Sequence, residues 1–273
     1  MSDVDGRRAL LHQLAWACGG LVFAITTLSA FLRLSQAGLD CTPWPACYAH
    51  ASSAATEGGL VGAARVAHRL VASLTLLPVI ALVVATLRRP DLRAAGRIAR
   101  ALLALTIFLA VLGRFSAGTP SPVVAWANAA TGLALFALCA MLVAVTRRPR
   151  AREGGVRARR WIGVTFALAA LQVALGAWAS VQHAAADCGA FAACGLHRWL
   201  AVLVVAGAIA SAVTLRRAGE GGALAPALPL LVLAQAAAGV AMLAWAMPLP
   251  LALAHNVLAA LLLGVLAAAA VGG

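Results

Sequence analysis

The chain has 273 residues, of which 63% are hydrophobic and 11% charged, with mean hydropathy +0.96 and formal net charge +13. That excludes an ordinary soluble domain, where roughly half the residues are apolar and about a quarter charged. All 21 basic residues are arginines and no polar folded face is available to display them, so a nucleic-acid partner is excluded too.

A bilayer core of about 30 Å is crossed by roughly 20 apolar residues in a helix. Apolar runs of that order fall near 12–34, 62–87, 100–116, 122–146, 161–182, 196–215, 223–245 and 249–271, and they predict eight transmembrane helices. The first run is too long for a cleavable signal and lacks a small-residue cleavage site, so it is expected to stay as a span. It ends where polarity returns, before a loop rich in Ala, Ser and Gly that holds Cys41 and Cys47. The second helix carries His68 near its start and stops at Arg88-Arg89-Pro90-Asp91. The third returns to Gly113-Arg114, and the fourth descends through Ala127 and Asn128. A basic stretch, 149–160, separates two halves, 1–148 and 161–273, each expected to be a four-helix bundle. The fifth helix contains Leu171-Gln172-Val-Ala-Leu-Gly176-Ala-Trp178 and leads into a second cysteine loop. The sixth carries His197 near its start, the seventh Gln235, and the eighth His255.

Sixteen of the arginines lie in the N-terminal tail and in segments 88–100, 147–160 and 216–217. These segments alternate with the cysteine loops, so the positive-inside rule predicts cytoplasmic termini and cysteines on the opposite side.

The halves repeat one another. Asp40-Cys41-x5-Cys47 returns as Asp187-Cys188-x5-Cys194, offset by 147 residues, and His68-Arg69 returns as His197-Arg198, offset by 129. Pro122 to Asn128 lines up with Pro250 to Asn256 at an offset of 128, with Ala127 standing where the second half has His255. Three matches in one order indicate two copies of one unit.

His68, Ala127, His197 and His255 all fall within about ten residues of the outer end of an inward-running helix, which places them in one layer about 15 Å deep or less. An intramembrane histidine without a partner is costly and points to function, although a hydrogen bond to a neighbouring helix also explains one. Two at equivalent depth on the sixth and eighth helices suit a haem, an apolar macrocycle ligated by imidazole from both faces. Zinc or copper usually takes three or four protein ligands, and no carboxylate or cysteine lies at that depth. His12, His50 and His183 do not recur in the layer and are set aside as ligands. Arg33, Arg65, Arg69, Arg114 and Arg198 break the charge pattern at outer helix ends. They either snorkel to headgroups or hold haem propionates, and Arg69 and Arg198, next to the histidines, favour the second.

Outside the cytoplasm, the two x5-spaced cysteine pairs read as disulfides Cys41–Cys47 and Cys188–Cys194, either structural staples or redox-active bridges. Cys18 and Cys139 read as packing residues inside helices. Gln172, Gln235, Asn128 and Asn256 read as interhelical hydrogen-bonding groups.

With Arg33-Leu-Ser-Gln-Ala-Gly-Leu-Asp-Cys41-Thr-Pro-Trp44-Pro45-Ala-Cys47, His68-Arg69, Gln172 to Trp178, His197-Arg198 and His255 in view, nearly the whole chain resembles the haem A synthase family of cytochrome oxidase assembly. The resemblance implies an all-α integral membrane protein of eight helices in two pseudo-symmetric four-helix bundles, in the inner (plasma) membrane. It implies an iron-binding, C-terminal haem b ligated by His197 and His255, and a substrate site with His68 as a haem ligand, where the methyl group of haem O is oxidised to formyl. It implies haem O synthase as supplier, an electron acceptor, surrounding membrane lipid, and it is compatible with a homo-oligomer. Two positions depart from the family pattern: Ala127 replaces a second N-terminal histidine, and Arg65 stands where an acidic residue is expected. Glu57 is the glutamate nearest to hand, eleven residues before His68. These departures give an alternative reading, a non-catalytic haem-binding or electron-transfer membrane protein. A thiol oxidoreductase built on the paired cysteines is a third.

Overall fold

The computed structural model describes residues 3–36, 59–115, 121–147, 155–181, 192–219, 222–245 and 247–272. The described residues form helices and their connections, with no strand. They are α1 (Asp3–Gln36), α2 (Gly59–Thr86), α3 (Arg93–Phe115, after a short 3₁₀ turn at Pro90–Leu92), α4 (Pro122–Thr146), α5 (Val156–Val181), α6 (Ala192–Arg217), α7 (Leu224–Ala244) and α8 (Leu249–Gly272). All eight are long and apolar enough to cross a membrane. Large apolar side chains such as Leu60, Leu77, Trp199 and Leu230 are exposed, as suits helices whose solvent is lipid. The protein is a multi-pass membrane protein.

The helices run past the apolar segments at their ends. α1 begins at Asp3 and α3 at Arg93, because arginines at a membrane boundary lower hydropathy without breaking helical hydrogen bonding. α5 begins at Val156, inside the basic 149–160 stretch. Local signals set other ends. Ser121 caps α4 by accepting from the Val124 amide, with Pro122 at the first helical position. α7 closes in a turn where Met247, at φ 62°, donates its N–H to the Met242 carbonyl at 2.7 Å.

Within the first four helices the contacts run in a ring, α1–α2, α2–α3, α3–α4 and α4–α1, and the second four repeat it as α5–α6, α6–α7, α7–α8 and α8–α5. α4 lies along α8 and joins the two sets. The approach is close there: a Cβ on Gly264 would come within 2.8 Å of Phe136 Cε1, so glycine lets the Phe136 ring seat against the α8 backbone. One core cluster gathers Val22, Val79, Leu82, Leu102 and Leu142 in the first set; another gathers Ile162, Val204, Leu228, Val232 and Leu266 in the second and reaches α4 at Leu133. A third, Leu34, Met247 and Ala252, pins the end of α1 to the α7–α8 turn.

Candidate functional site

Two histidines meet inside the second set of helices. The rings of His197 on α6 and His255 on α8 have centroids 6.5 Å apart and planes 71° apart. Each is held by the helix before it in the same manner. His197 Nδ1 donates to the Gln172 carbonyl of α5 at 3.0 Å, and His255 Nδ1 donates to the Gln235 carbonyl of α7 at 3.2 Å. A carbonyl only accepts, so both rings carry their proton on Nδ1 and present a lone pair at Nε2.

Four residues beyond each glutamine, one helical turn along the same face, stands a glycine. A Cβ on Gly176 would lie 2.8 Å from His197 Cε1, and one on Gly239 would lie 3.0 Å from His255 Cε1. The sequence Gln-x3-Gly therefore supplies a carbonyl for the ring's N–H and a bare Cα for its edge. At His255 the Gln235 side chain adds a third contact: its amide Nε2 donates to His255 Nε2 at 3.2 Å, and its own buried Oε1 has no partner among the described residues.

This arrangement fits a haem. A metal–imidazole bond of about 2 Å on each side, with about 1 Å from nitrogen to ring centre, separates the ring centres of a bis-histidine haem by about 6 Å. Among the described residues no three His, Cys, Asp or Glu side chains converge, so the two imidazoles suit a metal whose other ligands come from a macrocycle. The orphaned Gln235 oxygen marks a buried polar position beside that space, which an apolar interior would not leave unpaired.

His68 is half-buried on α2 and makes no hydrogen bond among the described residues. Ala127 is half-buried on α4. At the 128-residue offset, Gln235, Gly239 and His255 fall on Ile107, Val111 and Ala127, and both Ile107 and Val111 are more than half exposed. The first set thus lacks the second histidine together with its glutamine and glycine. Arg69 and Arg198 are exposed and make no ion pair among the described residues, Arg65 is half-buried, and Glu57 and the whole 37–58 segment lie outside the described residues. Cys41, Cys47 and Cys188 also lie outside them.

Arg33 differs from the other outer arginines. Its guanidinium turns inward from α1, donating to Ser180 Oγ at the end of α5 and to Asn256 Oδ1 on α8 at 2.9 Å. It is therefore neither snorkelling nor free for a propionate. Trp126 crosses the same boundary, donating from Nε1 to the Ala174 carbonyl at 2.9 Å and meeting the Trp178 ring edge-on. Sequence reasoning missed Gly239 and the inward turn of Arg33. The Gln-x3-Gly recurrence was the available signal for the first. His12 is structural, donating to Thr146 Oγ1 and accepting from Trp16 Nε1, both at 3.1 Å. Cys18 and Cys139 are buried free thiols with sulfurs 3.7 Å apart, in keeping with a packing role.

The family model described as cytochrome oxidase assembly protein matches residues 194–267, a span that runs from the start of His197's helix to beyond His255. A protein named heme A synthase from Shewanella oneidensis is 27% identical over 218 residues, covering 72% of this chain and 65% of its own length. The chain is similar to the haem A synthase family in this segment. Within that family's shared segment lie both cradled histidines, so the haem A synthase resemblance and the ring geometry meet on the same residues.

Proposed function

We propose that the chain is a haem A synthase-type membrane oxidoreductase that converts haem O to haem A for cytochrome c oxidase assembly. The observation that carries this reading is the pair of matching cradles that hold the His197 and His255 rings with centroids 6.5 Å apart and their Nδ1 protons on main-chain carbonyls. His197 and His255 would hold a haem b in the second bundle, 161–273. Bound there, haem supplies one-electron redox chemistry in an apolar site. The Gln172 and Gln235 carbonyls fix the tautomer and raise the donor strength of each imidazole. The packed aliphatic side chains around α5–α8 keep water away. Arg69 and Arg198, exposed beside their histidines, are placed at helix ends where a carboxylate-bearing substrate or cofactor would reach them.

The first bundle, 1–148, would bind haem O as substrate at His68. The methyl-to-formyl oxidation adds one oxygen atom and, balanced with water, releases four electrons and four protons, so it needs an electron acceptor and water or dioxygen as the oxygen source; a haem O synthase is the source of substrate that this chemistry requires. The positive-inside pattern supports cytoplasmic termini in an inner (plasma) membrane. The pairs Cys41–Cys47 and Cys188–Cys194 are proposed on the opposite side. In keeping with this reading, Cys194 is disulfide-bonded while Cys18 and Cys139 are free.

One observation favours a second reading, a haem-binding or electron-transfer protein without catalysis: Ile107, Val111 and Ala127 replace the entire second cradle of the first bundle. Expression with a source of haem O, followed by chromatography of the extracted haems, decides between them. Haem A or its hydroxylated precursor supports the synthase; haem b alone refutes it in favour of the second reading.

A further inference from the structure

An open groove of about 700 Å³ lies at the end of the helices remote from the histidines, where α2 stops and α3 begins. It is lined by Arg88, Arg89, Arg93, Arg97 and Arg100, with Thr86, Pro90 and Gly96. Arg93, Arg97 and Arg100 recur at spacings of four and three and so share one face of α3. All five arginines are exposed, and among the described residues none makes an ion pair or a side-chain hydrogen bond. Asp91, the acid adjoining these arginines in sequence, lines a small neighbouring cavity with Arg8 and Thr146 instead. Five like charges converge with no counter-charge among them.

The floor of the groove is built to be tight. A Cβ on Gly96 would stand 3.3 Å from Thr86 Cβ and 3.5 Å from Arg100 Nη1, so α2 and α3 approach closely and the Arg100 guanidinium lies back over the junction. Arg88 is held at φ 55°, a left-handed conformation that costs a non-glycine residue energy and that turns the chain between Thr86 and Pro90. The groove opens beside apolar surface: Leu77, Ile80 and Val84 of α2 and Leu87 just past its end are all exposed.

We propose that this groove binds the headgroup of an anionic phospholipid carrying two phosphodiesters, its acyl chains lying along the exposed face of α2. Guanidinium forks match phosphate oxygens bidentately, and basic pockets at membrane-helix ends take such headgroups. Five arginines exceed what a single phosphodiester charge would neutralise, which favours two. The exposed Leu77–Leu87 strip favours a lipid over a soluble phosphate, because it offers acyl chains a surface leading from the charged site. The charge pattern that orients the chain asks only for arginines on this side. It does not ask that five of them enclose one groove.

The full chain, purified in detergent and delipidated, is titrated with cardiolipin, phosphatidylglycerol or phosphatidylcholine and examined by native mass spectrometry. Cardiolipin is expected to bind first, at one site, and to be lost as ionic strength rises. Replacing Arg93, Arg97 and Arg100 by Gln is expected to weaken it by roughly tenfold or more. Replacing Arg157, Arg159 and Arg160 by Gln removes the same charge from the exposed start of α5 and should leave that binding unchanged. Lysines at 93, 97 and 100 keep the charge, and with it the membrane orientation; that variant should retain partial binding, which separates a lost site from a misinserted chain. Equal losses in the two Gln variants would overturn the proposal. So would phosphatidylglycerol binding as tightly as cardiolipin, or displacement of cardiolipin by inorganic phosphate at comparable concentration.

Discussion

The edge of the His197 ring rests on the bare Cα of Gly176, so near that a single methyl group there would stand 2.8 Å from Cε1. The contact comes from α5, whose Gln172 carbonyl also takes the ring's Nδ1 proton, so one helical turn sets both the position and the tautomer of the imidazole. Gly176→Ala should push the ring off its carbonyl, with an overpacking cost of about 1–3 kcal/mol. The expected result is a folded protein with haem content several-fold lower and a weakened low-spin absorption band. Gly239→Ala should act similarly but more mildly, since its clash with His255 is 3.0 Å. Haem per polypeptide, measured by pyridine haemochrome, checks both; unchanged content would remove the cradle from the account.

His197→Ala or His255→Ala should abolish most of the tightly bound haem. His68→Ala should leave the low-spin spectrum largely intact, because His68 belongs to the other set of helices and lacks a comparable cradle. Absorption and electron paramagnetic resonance spectra of the three purified variants make the comparison. Loss of the low-spin signal from His68→Ala would place the tight haem in the wrong half.

Much of this was legible in the sequence, and the reasons differ by residue. The eight helices follow from apolar length alone, since a membrane leaves a chain few other ways to satisfy its backbone. His197 and His255 stood out because intramembrane histidines are costly and these two sit at equivalent depth on helices that run the same way. The cradles were harder to see. Gln172 and Gln235 bond the histidines through main-chain carbonyls, which every residue possesses, so the side chain gives no clue to that role. Arg33 looked like one more boundary arginine because Ser180 and Asn256 lie 147 and 223 positions away, and only the packing of α1 against α8 brings them together. The arginine groove was visible as a charge run. Its convergence depends on the turn at Arg88 and the tight Thr86–Gly96 junction.

Arg33 itself offers a test of the joint between the halves. Arg33→Leu would leave Ser180 and Asn256 without their cation, removing charge-assisted hydrogen bonds of about 1.5–3 kcal/mol each at most. The melting temperature in detergent should fall, and the haem spectrum should shift because Asn256 adjoins His255 on α8. Arg33→Lys should rescue little, since an ammonium lacks the planar fork that reaches two acceptors on different helices. Full rescue by lysine would show that charge alone matters there.

The two intraloop disulfides can be mapped by mass spectrometry of unreduced peptides. Cys41–Cys47 and Cys188–Cys194 should appear as separate links, each closing a small loop and so stabilising by at most about 3 kcal/mol. A link between the loops, or free thiols labelled from the cytoplasmic side, would reject both the pairing and the orientation.

The asymmetry between the halves gives the most demanding prediction. Restoring a ligand alone, by Ala127→His, puts an imidazole where α3 presents Ile107 and Val111 at the positions of Gln235 and Gly239. The 107 carbonyl is present whatever the side chain, but by the repeat alignment Val111 carries a Cβ and two methyls at the position where His255 meets only glycine. A histidine at 127 should therefore enter a blocked cradle, and Ala127→His alone should raise haem retention in the N-terminal half only slightly. Adding Val111→Gly should open the space for the ring, and Ile107→Gln should complete the Gln-x3-Gly pattern found at His255, with its side-chain amide leaving Nε2 to the metal. The triple variant, built on a His197→Ala background so that the C-terminal haem does not mask the signal, should regain a six-coordinate low-spin spectrum. The order of retained haem is expected to be triple, then Ala127→His with Val111→Gly, then Ala127→His alone. If Ala127→His alone matches the triple variant, the glycine and glutamine are dispensable, and the contacts around His197 and His255 hold the rings without governing their ligation.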